Sequence, residues 1–177
     1  MNWNFTRIII SAIVLPILIG LAGAAGQPSV RADLRTTHDR KLAPEFILND
    51  SVGRSAAIDS YRGKVVLLDF WATWCHGCKE EIPWFIEFER IYSSKGFAVV
   101  GVSMDEGGWP VLKPFLASAK VSYRSLLGNG STARQYAITE LPDSFLIDRQ
   151  GRIAAIYRGL VDRDNLEANI KILLRDR

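Results

Sequence analysis

Apolar and polar residues follow one another along most of the chain with the periods of β-strands and α-helices. Residues 65–70 and 97–102 form two nearly continuous apolar runs, which is the pattern of buried strands that are covered on both faces. Residues 76–92, between these runs, have five apolar side chains at helical spacing: Ile82, Phe85, Ile86, Phe88 and Ile91. This part of the chain therefore predicts a strand–helix–strand unit.

The second half of the chain continues with shorter elements. Residues 110–119 and 131–137 have the pattern of short helices, and residues 144–147 and 153–157 flank a turn sequence at 148–151, which predicts a β-hairpin. The last predicted helix has four apolar residues on one face: Leu166, Ile170, Leu173 and Leu174. Together these elements predict an α/β sandwich with a mixed sheet.

The first 25 residues have the composition of an export segment. Arg7 precedes a long apolar run, and small residues follow at 20–25, a pattern typical of a cleaved secretory signal peptide. The alternative is an uncleaved membrane anchor, but a spanning helix needs about 20 apolar residues and Pro16 interrupts this shorter run. We expect cleavage after Ala24, and both interpretations place the rest of the protein outside the cytoplasmic membrane.

Residues 26–43 are polar and have no period, so we expect a polar tether ahead of one folded domain at 44–177. The chain has 177 residues, of which 48% are apolar and 23% charged, values that suit one domain with a real core and exclude a disordered chain. Its 22 Lys and Arg against 19 Asp and Glu are scattered, which argues against nucleic acid as a partner. We expect a monomer that needs no cofactor and no metal.

The two cysteines, Cys75 and Cys78, are too few for a disulfide scaffold or a four-thiolate zinc site. They lie between a predicted buried strand and a predicted helix. Residues three apart at a helix start share one face, so the two sulfurs can approach bonding distance, and the helix start favours a thiolate at Cys75. Thiol–disulfide exchange needs such an attacking sulfur and a second sulfur that resolves the mixed disulfide. A purely structural disulfide is the alternative, but so short a loop offers little stabilisation.

Several motifs around the cysteines carry a family resemblance. Residues 69–79, with Pro83 beyond them, resemble the active-site strand and helix of thioredoxin, and residues 141–148 are similar to the strand that follows its cis-proline. The lead-in at 44–48, Gly63-Lys64 and an extra strand–helix unit between the two motifs resemble the TlpA/ResA branch. The resemblance covers the chain from about residue 44 to its end.

This resemblance implies both a fold and a function. The fold would be a thioredoxin-like three-layer α/β/α sandwich with a mixed central sheet, extra N-terminal strands and an inserted strand–helix unit. Proteins of the TlpA/ResA branch are exported, often membrane-tethered thiol–disulfide oxidoreductases. We therefore expect a protein-disulfide reductase in the periplasm or on the outer face of the cytoplasmic membrane. Its partners would be disulfide-bearing exported proteins, including apocytochrome c, and a membrane electron donor of the thiol-reducing type.

The resemblance also assigns roles to the residues that form the reacting centre. Cys75 would be the nucleophile and Cys78 the resolving thiol of a Cys75–Cys78 disulfide. Asp69 takes the place of thioredoxin's buried acid, although TlpA/ResA proteins more often have Asn there. A buried carboxyl beneath the pair could accept the proton of Cys78 as a relay. The alternative for Asp69 is a strand-end residue that faces solvent.

Further residues are assigned to substrate binding or to the rim of the site. The resemblance implies a cis bond at Pro142, which would expose the backbone of Leu141 to a substrate strand. Trp74 and His76 are assigned to substrate binding as well; Trp74 would flank the site, or else serve as packing. Glu106 matches an acidic residue near the active site of ResA-like proteins, but the neighbouring Asp105 leaves that alignment open.

The dipeptide between the cysteines departs from the family, because His76 and Gly77 stand where thioredoxin has Gly and Pro. A protonated His76 could stabilise the Cys75 thiolate, or it could point to solvent, so the direction of electron flow stays open. An oxidant or isomerase of secreted proteins is therefore one alternative function, and a Cu(I)-binding chaperone module is another. A peroxidase is disfavoured, because its proline and hydroxyl pattern does not precede Cys75.

Overall fold

The computed structural model of the protein describes residues 28–176. In chain order, its strands and α-helices are β1 (Ile47–Asn49), β2 (Ser55–Ala57), β3 (Val65–Trp71), α1 (His76–Tyr92), β4 (Phe97–Ser103), α2 (Gly108–Ser118), β5 (Arg124–Leu127), α3 (Gly130–Gln135), β6 (Asp143–Ile147), β7 (Ile153–Arg158) and α4 (Arg163–Arg175). The predicted export segment at residues 1–25 lies outside the described residues. Within the described part of the chain, no helix is long and apolar enough to cross a membrane.

Five strands form one mixed sheet in the order β5-β4-β3-β6-β7. β3 is parallel to β4, and β4 is parallel to β5, whereas β6 is antiparallel to both β3 and β7. Every residue of β3 and β4 is buried, because these strands occupy the middle of the sheet and are covered on both faces. The predicted mixed sheet with two buried central strands is therefore confirmed.

Apolar layers cover both faces of the sheet. On one face, α1 and α4 contribute Phe85 and Leu166 to a core with Leu67 of β3. On the other face, the β1–β2 hairpin and the residues after α3 pack on β3, where the ring centroids of Phe70 and Tyr136 lie 5.1 Å apart. The strand–helix unit of β5 and α3 is inserted between α2 and β6. The predicted three-layer sandwich, its extra N-terminal strands and its insert are all present.

The predicted helices are confirmed, and α1 has the bounds that its apolar spacing predicts. α2 and α3 both end slightly earlier than predicted. After each of them the backbone turns through a positive φ, 54° at Lys120 and 52° at Ala137. A backbone N–H beyond α2 then binds a carbonyl of its last turn: Val121 N donates to Leu116 O at 3.0 Å. The sequence hides these ends because no glycine marks them.

The predicted hairpin of β6 and β7 turns at Asp148. The Asp148 carboxylate accepts backbone hydrogen bonds from Gln150 N at 3.0 Å and Arg152 N at 2.9 Å. Gly151 has a φ of +73°, a conformation that L side chains rarely adopt. The turn therefore joins β6 to β7 and sets the register between these two strands.

Residues 28–43, predicted to be a polar tether, lie along the domain; we call them the N-terminal strap. Val30 N donates to Leu160 O at 2.7 Å, Arg35 N to Ala154 O at 2.8 Å and Ala43 N to Gly151 O at 2.9 Å. The folded part thus begins before residue 44. The contacts are made largely by backbone groups, which the periodicity of side chains does not report.

Candidate active site

The two cysteines lie where the chain leaves β3 and enters α1. Cys75 caps the helix, and its Sγ accepts a hydrogen bond from Cys78 N at 3.2 Å. The two residues form a disulfide with their Cα atoms 5.4 Å apart. Cys75 is 6% exposed and Cys78 only 1%. An incoming sulfur can therefore reach Cys75, whereas Cys78 faces the protein interior.

The turn ahead of Cys75 is held by Asp105, a residue to which the sequence assigns no role. The Asp105 carboxylate accepts hydrogen bonds from Thr73 N at 3.0 Å, from Thr73 Oγ1 at 2.6 Å and from Ser103 Oγ at 2.8 Å. These bonds link the end of β4 to the turn before the redox pair. Its neighbour Glu106 is exposed and lines a cleft together with Thr73 and Trp74.

A groove of about 400 Å³ opens beside the disulfide. Its lining includes Trp74, Cys75, Leu141 and Pro142, and the Leu141–Pro142 bond is cis, as the resemblance implies. Trp74 is 68% exposed, so it stands as a wall of the groove rather than as packing. The structure thus brings the predicted substrate-binding residues together at the reactive sulfur. It adds Leu160, from the segment after β7, which the sequence does not indicate.

His76 also lines this groove, but its side chain faces solvent. Its side chain is 81% exposed, and Nε2 lies 3.4 Å from Glu80 Oε1, one helical turn along α1. The structure therefore favours the solvent-facing interpretation of His76, with an exposed carboxylate as its partner.

Asp69 lies in the middle of β3 and is 1% exposed, so the interpretation of a solvent-facing residue is wrong. Ser144 Oγ, on the neighbouring strand β6, donates a hydrogen bond to Asp69 Oδ1 at 3.0 Å. Burial raises the pKa of Asp69 to about 7; the Ser144 hydrogen bond opposes this shift, and the charge of Asp143 adds to it. A carboxyl with this pKa exchanges protons at neutral pH.

Glu81 is a second buried carboxyl, to which the sequence assigns no role. It is 0% exposed, and its Oε1 accepts a hydrogen bond from Val161 N at 2.7 Å. Burial, followed by the charge of Asp69, raises the pKa of Glu81 to about 9. Cys78 and Glu81 are three residues apart on one helix face. A polar residue on an apolar helix face beside a redox cysteine is the signal that could have revealed it.

Tyr123 belongs to the same buried group. Its hydroxyl is buried and has no hydrogen-bond partner among residues 28–176. Burial, together with the charges of Asp69 and Glu81, raises its pKa well above the ordinary value. Asp69, Glu81 and Tyr123 thus form a buried cluster of acids, in which Asp69 can take up or release a proton near pH 7.

No cluster of three or more His, Cys, Asp or Glu residues suited to a metal ion is found among residues 28–176. The described part of the site instead consists of one disulfide, a groove and buried acids. This set of groups can perform thiol–disulfide exchange.

Comparison with known proteins agrees with the geometry of the site. The AhpC/TSA family model matches residues 40–156. The thiol–disulfide oxidoreductase ResA of Bacillus anthracis is 30% identical over 166 residues, which cover 93% of this chain and 95% of the relative. ResA of Bacillus subtilis (strain 168) is 31% identical over 157 residues, 86% of each chain.

A solved structure shows the same likeness in three dimensions. The putative thiol:disulfide interchange protein DsbE from Chlorobium tepidum superposes with a TM-score of 0.70 at 32% identity. The superposition covers 83% of this chain and 99% of that protein. The thioredoxin-like fold expected from the sequence is therefore confirmed.

Proposed function

Since the chain belongs to the AhpC/TSA family and is a thiol–disulfide oxidoreductase similar to ResA, we propose that it reduces disulfides of exported proteins through Cys75 and Cys78. One observation carries this proposal: the Cys75–Cys78 disulfide lies at the start of α1, with Cys75 lining the groove and Cys78 buried in the interior.

In the proposed reaction, the reduced pair transfers two electrons to a client disulfide. The Cys75 thiolate attacks one client sulfur, the client S–S bond breaks, and the other client sulfur leaves as a thiolate that takes up a proton. Cys78 then attacks Cys75 Sγ in the mixed disulfide. The bond between Cys75 and the client breaks, the second client thiol leaves, and the Cys75–Cys78 disulfide forms.

The second step requires Cys78 to lose its proton in a buried place. Asp69 has a pKa of about 7, so its carboxylate form is available at neutral pH to accept that proton. Glu81, with a pKa of about 9, is protonated at neutral pH and adds no second buried charge. Asp69 thus acts as the proton acceptor and Glu81 as a neutral neighbour.

The groove gives this chemistry its preference for proteins over small disulfides. Trp74 and Leu141 line the groove together with Cys75, so an extended client segment can lie there beside the cis-proline. The proposed clients are exported proteins, apocytochrome c among them. Electrons return to the oxidised pair from a membrane carrier of the thiol-reducing type.

Turbidimetric reduction of insulin by dithiothreitol tests the exchange activity. The wild-type protein should accelerate it, Cys75→Ser should abolish the acceleration, and Cys78→Ser should accumulate a mixed disulfide. A protein that gives no acceleration and retains copper on purification would instead be a Cu(I)-binding module, and the proposal would be wrong.

Equilibration of the pair with glutathione decides the direction of electron flow. A potential close to that of thioredoxin, about −270 mV, supports the proposed reductant. A value close to that of DsbA, about −120 mV, would show an oxidant and overturn the reductant role. Capture by Cys78→Ser in cells then identifies the client.

The proposed site of action lies outside the cytoplasmic membrane, on the strength of the export pattern at residues 1–25. Mass analysis of the first residue of the purified protein tests how the chain is held there. A start at Ala25 indicates a cleaved signal peptide, whereas an intact Met1 indicates a membrane anchor.

A further inference from the structure

The beginning of the N-terminal strap is bound to the segment that follows β7. Val30 N donates to Leu160 O, and Asp162 N donates to Val30 O, both at 2.7 Å. Val30 and Val161 thus form a parallel β-bridge. The two residues that flank Val161 are both held by the strap.

This pairing fixes the direction of the Val161 peptide group. In an extended chain, the backbone groups of successive residues point to opposite sides. Because the groups at Leu160 and Asp162 point toward the strap, the N–H of Val161 points the other way, into the protein. There it donates to Glu81 Oε1 at 2.7 Å.

Within residues 28–176, the bond from Val161 N is the only hydrogen bond that the Glu81 carboxyl accepts, since Oε2 has no partner there. It lowers the pKa of Glu81, whereas burial and the charges of Asp69 on β3 and Glu80 on α1 raise it. Tyr123, ahead of β5, is a further titratable group, and the charge of Glu81 contributes to its raised pKa.

The strap also reaches the groove beside the disulfide. Pro28 lines it together with Cys75, Gly159 and Leu160. The residues that the strap holds, 160 and 162, therefore connect the groove wall to the peptide group that binds Glu81.

We propose that the N-terminal strap is a positioning element of the redox site, which aims the Val161 N–H at the Glu81 carboxyl and supplies Pro28 to the groove wall. This inference rests on the proposed function for its meaning, but its test does not require exchange activity. The strap acts on Glu81 through the Val161 N–H.

Substitution Val30→Pro in the full chain tests the proposal, because it removes the N–H that binds Leu160 O and keeps an apolar side chain. We expect the Glu81 carboxyl to titrate about one pKa unit higher in ¹³C NMR, as befits a weakened hydrogen bond to a carboxylate. An unchanged titration would overturn the proposal. A downward shift would overturn it as well, because the strap would then act as a cover against water.

Ala43→Pro is the matched control. It removes one N–H donor of the same strap, which binds Gly151 O at 2.9 Å, at the end remote from Glu81. We expect a comparable loss of thermal stability and no change in the Glu81 titration. Equal shifts in both variants would indicate a general loosening of the fold and contradict the proposal.

Asn165→Ala provides a second variant if Val30→Pro does not fold. It removes the side-chain oxygen that accepts from Ala32 N at 2.9 Å, so it loosens the strap without changing the strap's own sequence. We expect a smaller upward shift of the Glu81 titration, and no shift would overturn the proposal. Insulin reduction by the wild-type protein, measured in parallel, separates failure of this inference from failure of the proposed function.

Discussion

Asp69 and Glu81 are two carboxyls in one buried cluster, and their hydrogen bonds differ. Asp69 accepts a hydroxyl hydrogen bond from Ser144 on the adjacent strand. Glu81 accepts a backbone hydrogen bond from Val161. Burial raises the pKa of both, to about 7 for Asp69 and about 9 for Glu81. Because of this difference in pKa, Asp69 can accept a proton at pH 7, whereas Glu81 keeps its proton.

Substitution Asp69→Asn tests the proposed proton acceptor. In the wild-type protein, disulfide reduction should speed up as the pH rises through about 7, because the pKa of Asp69 lies there. Asp69→Asn should remove this limb and slow reduction at pH 7.5 by roughly 10²-fold. Stopped-flow kinetics across pH 5–9 measures it, with the exposed Asp59→Asn as control. A limb that survives in Asp69→Asn would contradict the role.

Substitution Trp74→Ala tests the groove wall. Trp74 is 68% exposed, so its removal leaves the core intact, while a client protein loses a large aromatic contact. We expect kcat/KM for insulin to fall about tenfold or more, with reduction of glutathione disulfide little changed. Ile47→Ala, which removes another exposed apolar side chain, should leave both rates unchanged. Equal losses for insulin and glutathione disulfide would argue against a client-binding role.

At the scale of elements, two turns share one pattern, Asp-x-x-Gly-Arg, at 50–54 and 148–152. In each turn the aspartate accepts two backbone N–H groups and binds the arginine four residues on. The Asp148 carboxylate also pairs with Arg40 of the strap at 3.2 Å, where both side chains are almost fully buried. This turn therefore joins the β6–β7 hairpin to the strap.

Asp148→Ala should destabilise the protein by about 3 kcal/mol. The change leaves the buried Arg40, the partly buried Arg152 and two backbone N–H groups without their acceptor, and breaking a buried pair in this way is costly. Urea unfolding at pH 7 measures the effect. The exposed Glu140→Ala should change the free energy of unfolding by less than about 0.5 kcal/mol. A similarly small effect of Asp148→Ala would show that the turn forms without its aspartate.

At this scale the sequence predicts well wherever side-chain periodicity decides. Two continuous apolar runs mark β3 and β4, and apolar residues at helical spacing mark α1. All three elements form where predicted. The sequence pattern extends α2 and α3 slightly beyond their ends in the structure, because residues with a positive φ close both helices without a glycine. The attachment of the strap leaves no such pattern in the sequence, because it depends on backbone groups.

At the scale of the whole molecule, the buried acids make stability depend on pH. Both folded-state pKa values lie above the ordinary value, so the protonated forms favour folding. Their contribution is complete below about pH 4 and is lost as the pH rises, to about 7 for Asp69 and about 9 for Glu81. The free energy of unfolding should therefore fall toward alkaline pH.

The double variant Asp69→Asn/Glu81→Gln tests this dependence. It should be more stable than the wild-type protein at pH 9 by an amount on the order of a few kcal/mol, with little difference at pH 4. Denaturant unfolding at both pH values measures it. Parallel pH profiles for wild type and variant would mean that other groups control the alkaline loss of stability.

The sequence by itself determined the redox pair, the central strands and the fold, because spacing and periodicity are local properties. The resemblance to thioredoxin and the TlpA/ResA branch assigned roles to Asp69, Pro142 and the groove residues, because these residues lie in short sequence motifs. The tertiary structure alone decided the burial of Glu81, the hydrogen bonds of Asp105 to the turn before Cys75, and the docking of the strap. Each of these depends on groups far apart in the chain, such as Glu81 and Val161, and no local pattern records which distant backbone group will meet a buried side chain.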